Sequence, residues 1–112
     1  MSNLIKNVEH ARTFELKELV ALESGRVNSL SLSQTPGCKA TVFAIDAGEG
    51  MSTHAAPGDA LVTCLEGSVQ ITLEGVEHVL GPGTSLVMTA GAPHAVKALE
   101  PVKMLLIVVR PS

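Results

Sequence analysis

A chain of 112 residues suits one domain with a real, if modest, hydrophobic core. Its hydrophobic share of 46 %, much of it Val, Leu, Ile and Ala, excludes disorder over most of the length. A net charge of −3, with two Phe and no Tyr or Trp, excludes a basic nucleic-acid surface, a base-stacking platform and a Tyr general acid.

Residues 1–10 mix charges with isolated apolar residues and read as a loose arm or as an edge strand that pairs in an oligomer. Met1 to Asn7 has neither a long apolar run nor a small-residue cleavage site, so no signal peptide is expected. Phe14, Leu16, Leu19, Val20 and Leu22 follow at a spacing that is partly helical and equally compatible with extended chain. Ser24-Gly25 breaks the segment. From Arg26 onward short apolar or alternating stretches recur: Arg26 to Leu32, Lys39 to Ile45, Leu61 to Leu65, Ser68 to Glu74, Val76 to Leu80, Ser85 to Met88, His94 to Leu99 and Val102 to Val109. Turn signals separate them, among them Pro36-Gly37, Glu66-Gly67, Gly75 and Gly81-Pro82-Gly83. Asp46 to Gly50 reads as a loop. The pattern predicts about nine strands at roughly 8–12-residue spacing, an all-β sandwich or barrel rather than βαβ units. Residues 1–25 are assigned as an N-terminal arm and 26–112 as the barrel.

Cys38 and Cys64 are too few for a disulfide scaffold, and free thiols in a reducing cytoplasm are the simpler reading. The longest apolar run, Met104 to Val109, is too short to cross a bilayer. Lys39 to Ile45 and Val102 to Val109 are apolar on both faces, so each carries a stripe that needs cover; a second subunit, helped by the N-terminal arm, would supply it. A homodimer is therefore expected.

The residues that could carry chemistry are the histidines. Imidazole is the commonest transition-metal ligand and titrates near neutral pH. By strand parity His94 shares a face with Val96 and Ala98, and His78 with Val76 and Leu80; Cys64 shares one with Ala60 and Val62. His54 matches the parity of Ala60, Val62 and Cys64, although Pro57-Gly58 can reset the register between them. His10 lies outside this region and reads as a surface residue.

The stretch from Gly48 resembles the first conserved motif of the cupin superfamily, G-x5-H-x-H-x3,4-E-x6-G, with Gly48, His54 and Gly67 in register. The stretch from Gly83 resembles the second, G-x5-P-x-G-x2-H-x3-N, with Gly83, Gly91 and His94 in register. The likeness covers roughly residues 38–109 and looks like a small single-domain cupin, of the type-2 conserved barrel kind, with a degenerate metal motif. It implies a double-sheet jelly roll. Metal-binding members hold a divalent ion with three His and one Glu. In this chain the second histidine position is Ala56, the glutamate position Ala60, the proline position Thr89 and the asparagine position Ala98.

Two readings follow. In the first, the barrel mouth binds a small organic ligand, with His54 and His94 as hydrogen-bonding groups and Asp59, Cys64 and Met104 in the pocket. The two alanines would leave a larger, more apolar cavity that Met51, Met88 and Met104 could line. In the second, the resemblance implies a metal-dependent enzyme of oxygenase or isomerase type. There His54 and His94 hold Zn, Mn, Fe or Ni, with help from Asp59 or Cys64 and more weakly from His78. For Asp59 a turn residue bonded to backbone, and for Cys64 a small buried hydrophobe, are the competing roles.

Overall fold

The structure is a computed structural model that describes residues 3–111; residues 1–2 of the expected arm and residue 112 of the expected barrel lie outside them. Among the described residues nine strands follow a single 3-10 turn at Leu16–Glu18: β1 Val27–Gln34, β2 Cys38–Ile45, β3 Gly50–His54, β4 Asp59–Glu66, β5 Val69–Leu73, β6 Val76–Leu80, β7 Ser85–Met88, β8 His94–Ala98 and β9 Val102–Val109. They form two antiparallel sheets, one ordered β1-β2-β9-β4-β7 and the other β3-β8-β5-β6. This is the expected double-sheet jelly roll, with every neighbouring pair in each sheet antiparallel.

Alternation decides which side chains meet between the sheets. Ala60, Val62 and Cys64 of β4 are buried while Leu61, Thr63 and Leu65 face outward. Val69 and Ile71 of β5, Val96 and Ala98 of β8, and Val102 and Met104 of β9 complete the inner layer, with Ile45 and Leu80. Gly67 closes the β4–β5 turn at a φ of 79°, and a Cβ there would overlap the Pro101 carbonyl oxygen; both facts call for glycine.

Two features depart from the expectations. Gly50–His54 is a strand that the sequence did not predict, beginning on the last residue of the expected 46–50 loop; its Gly50 lies so close to the Val96 carbonyl that no side chain would fit. Alternation is weak there because a register shift between Met51 and His54 interrupts the pairing with β8. The second concerns the apolar stripes. Val42 and Ala44 point away from the inner layer yet are wholly buried, because Val8, Leu16, Leu19 and Val20 of the chain's own N-terminal segment pack on them with Leu30, Leu32 and Leu105. That segment is pinned by the Lys6 N–H donating to Leu32 O (2.7 Å), by Asn7 Nδ2 donating to Ser31 O (2.6 Å) and by Lys103 Nζ donating to Lys17 O (2.6 Å). The arm thus folds back as a cover for its own sheet. It leaves bare the outer row that runs across Ile107, Leu61 and Val87, where Leu61 is 37 % and Val87 60 % exposed.

Candidate functional site

One end of the sandwich gathers the end of β3, the start of β4, the end of β7 and the start of β8, because the short connections 55–58 and 89–93 join them there. His54 and His94 stand directly opposite in the β3–β8 ladder. Their ring centroids are 4.3 Å apart with planes at 63°, an edge-to-face pair. His94 is only 4 % exposed, whereas His54 is open to solvent. The fold therefore presents one imidazole as wall and the other as rim.

Both rings are oriented by backbone. His54 Nδ1 lies 2.8 Å from Ser52 O and His94 Nδ1 3.1 Å from Ala92 O. A carbonyl only accepts, so each Nδ1 carries the proton and donates it. In the neutral ring this leaves the Nε2 lone pair free, the arrangement that orients an imidazole for a metal or a hydrogen-bond donor.

Behind the pair lies a small pocket lined by Met51, His54, Val62, Ile71, Met88, His94, Val96, Met104 and Leu106. Met104, one of the expected pocket residues, is among them. The cavity measures about 20 Å³, enough for a single water or ion. The larger cavity expected from Ala56 and Ala60 does not form. Three unbranched methionine side chains line the small space that remains, a role such flexible thioethers suit. Met51 and Met88, also expected as lining residues, are there too, Met88 opposite Ala60 in the ladder. A roomier groove of about 360 Å³ lies in the N-terminal segment among Asn7, Val8, Glu9, Arg12, Thr13, Phe14 and Leu19. It holds the solvent-exposed Arg12–Glu9 ion pair and no imidazole, so the chemistry points to the smaller pocket.

The remaining candidates are not brought to the pocket. Asp59 is exposed, and its Oδ1 accepts the Ala90 N–H at 2.9 Å, tying β4 to the connection after β7. Cys64 is fully buried beside Met104 in the ladder, with its Sγ 3.6 Å from Glu66 O and 3.5 Å from Gly67 O. Burial pushes its thiol pKa up, which disfavours the thiolate a metal would need; a backbone hydrogen bond at Glu66 opposes this and the Glu100 carboxylate adds to it. His78 pairs with Ile71 on the edge strand β6 and does not line the pocket. His10 sits in the N-terminal segment, its Nε2 2.7 Å from Ile5 O. Among the described residues no three His, Cys, Asp or Glu side chains converge as a metal set.

Comparison with known proteins gives the architecture a family. A family model described as Cupin domain matches residues 41–109. A conserved protein of unknown function from Streptococcus pyogenes is 39 % identical over 99 % of this chain and 97 % of its own, with a TM-score of 0.96. A cupin superfamily protein from Desulfitobacterium hafniense is 28 % identical over 96 % and 98 %, with a TM-score of 0.91. A cupin 2 conserved barrel domain protein from Leptotrichia buccalis is 39 % identical over 87 % of this chain, which spans 47 % of that longer one at a TM-score of 0.85. The curated proteins contain no significant match. Two sheets in this order, a histidine pair at one mouth, and a family match across β2 to β9 converge on one conclusion: the chain belongs to the cupin domain family.

Proposed function

We propose that this cupin acts by binding a small organic ligand at the barrel mouth, with His54 and His94 as the recognition groups. The observation that carries this reading is the pair of adjacent imidazoles whose Nδ1 atoms are engaged by backbone, so that both Nε2 atoms are available at the edge of an apolar pocket. A few convergent polar groups over an apolar lining suit a small molecule with hydrogen-bond donors. The half-buried Met51 is the side chain able to swing aside for it. A thermal-shift screen of small organic molecules tests the reading: a ligand should raise the melting temperature of the protein and not of the His54→Ala/His94→Ala variant. Equal shifts in both, or none across a broad metabolite set, would sink it.

The alternative is a metal-dependent oxygenase or isomerase with a divalent ion on His54 and His94. The residues present do not fit the four-ligand set of metal-binding cupins: Ala56 and Ala60 stand at two of its positions, and neither Asp59, Cys64 nor His78 replaces them. One observation still favours the imidazole pair as metal ligands, namely that each Nδ1 donates to a backbone carbonyl, which leaves Nε2 unprotonated in the neutral ring. Metal content of protein purified without a histidine tag separates the two readings.

The reading includes a homodimer in the cytoplasm. Supporting the dimer is the bare outer row of Ile107, Leu61 and Val87, together with Phe14 and Leu22 exposed on the N-terminal segment. Supporting the compartment are two free cysteines.

A further inference from the structure

We propose that the pocket behind the histidine pair is a site for a soft monovalent metal ion, Cu(I), held by His54, His94 and the thioethers of Met51 and Met88. The inference rests on the reading of the two imidazoles as metal ligands and replaces the divalent ion with a guest matched to the donors present. The chain has four methionines; apart from Met1, which lies outside the described residues, all of them line this one cavity. They come from three strands and both sheets: Met51 from β3, Met88 from β7 and Met104 from β9.

Ladder positions rank the three. Met88 pairs with Ala60, so it sits at the mouth end beside the position where the family glutamate is missing. Met51 pairs with Val96, the next inward residue of β8 after His94. Met104 pairs with Cys64 and lies deeper along β4, forming the floor. A hard carboxylate position has thus been emptied and a thioether placed alongside it. Thioethers with imidazole select Cu(I), whereas carboxylate, carbonyl and water suit the harder ions. The cavity of about 20 Å³ is ion-sized, and its inner wall is shielded from solvent, with Met88 at 2 %, Met104 at 1 % and His94 at 4 % exposure, while Met51 is half-buried and His54 exposed. His54 at the solvent-facing rim supplies a way in. Binding is coordination only: lone pairs of Nε2 and Sδ are donated, and no proton or electron changes hands.

The opposing role for the methionines is plain packing, so the test must remove sulfur without removing volume. Untagged protein is titrated anaerobically with Cu(I) against a chromophoric Cu(I) chelator, with Ag(I) as a redox-inert probe and Zn(II) as the borderline comparison. Wild type should take up one Cu(I) per chain. Met88→Leu and Met51→Leu should each weaken that binding by about 10-fold or more while leaving Zn(II) binding unchanged. X-ray absorption of the Cu(I) protein should show a sulfur shell that the Met51→Leu/Met88→Leu double variant lacks. Size and circular dichroism confirm that the leucine variants are folded. Equal Cu(I) affinity in wild type and double variant, or a shell of nitrogen and oxygen alone, overturns the soft site. If Zn(II) binding depends on His54 and His94 while Cu(I) is bound no more tightly than in the leucine variants, the soft site falls and the imidazole-ligand reading stands. If neither metal binds, both fall.

Discussion

The two imidazoles of the mouth differ in what they owe to the fold. His94 is buried and its Nδ1 engages Ala92 O, so His94→Ala leaves a carbonyl without its partner and a void in the wall. It should lower stability by about 1–3 kcal/mol in urea unfolding. His54 is solvent-exposed, and His54→Ala should change stability by no more than about 0.5 kcal/mol. A loss of ligand or metal binding in His54→Ala at unchanged stability would therefore report function alone. Cys64 belongs to the same scale. Its thiol pKa is raised by burial, so the folded state favours the protonated form. The associated stability is fully present below the unfolded thiol pKa and is lost as pH rises through the alkaline range. Urea midpoints at neutral and alkaline pH should fall less steeply for Cys64→Ala than for wild type, and native-state thiol titration should label Cys38 far faster than Cys64. His54 and His94 were legible as chemistry-bearing residues from glycine-framed spacing. For Asp59 and Cys64 the sequence left a pocket role and a structural role open; Asp59 bonded to backbone and Cys64 buried in the core are the structural alternatives, and strand register is what decides between the two.

At the scale of single elements, the N-terminal segment carries the clearest consequence. It buries the outward Val42 and Ala44 of β2 through Val8, Leu16, Leu19 and Val20. Removing residues 1–22 should cost on the order of 2 kcal/mol for each large apolar side chain uncovered and should produce dye-binding apolar surface. Unchanged melting temperature after the truncation would contradict the covering role. The β4–β5 turn makes a sharper case: Gly67→Ala combines a left-handed φ with a clash against the Pro101 carbonyl and should lower stability by about 1–3 kcal/mol. Strand β5 was legible because it keeps one face in the core and one turned away from it, so apolar residues recur at every second position, and β4 because it is a short apolar run closed by the Glu66-Gly67 turn. β3 was not: it is short, opens on a glycine and is interrupted in its pairing, which erases the alternation.

For the whole molecule the unsettled surface is the outer face of the β1-β2-β9-β4-β7 sheet. Its Gln- and Lys-bearing counterpart, the outer face of β5 and β8, carries Gln70, Thr72 and Lys97 and suits water. The row of Ile107, Leu61 and Val87 does not, and the N-terminal segment covers only the other half of the sheet. Light scattering at micromolar concentration should give twice the monomer mass for the protein, and Leu61→Glu/Val87→Glu should give a folded monomer. A wild-type monomer would refute the dimer.

Sequence alone determined the all-β class, the strands other than β3, and the two histidines as candidates for chemistry. Those depend on local periodicity and on glycine turns, which neighbouring residues encode. Tertiary structure alone decided that the N-terminal segment covers Val42 and Ala44, that the two imidazoles touch, and that the pocket lined by Met51, Met88 and Met104 is only about 20 Å³. These outcomes depend on pairings between strands far apart in the chain. Residue spacing shows which way a side chain points within its own strand, but not which side chain it will meet.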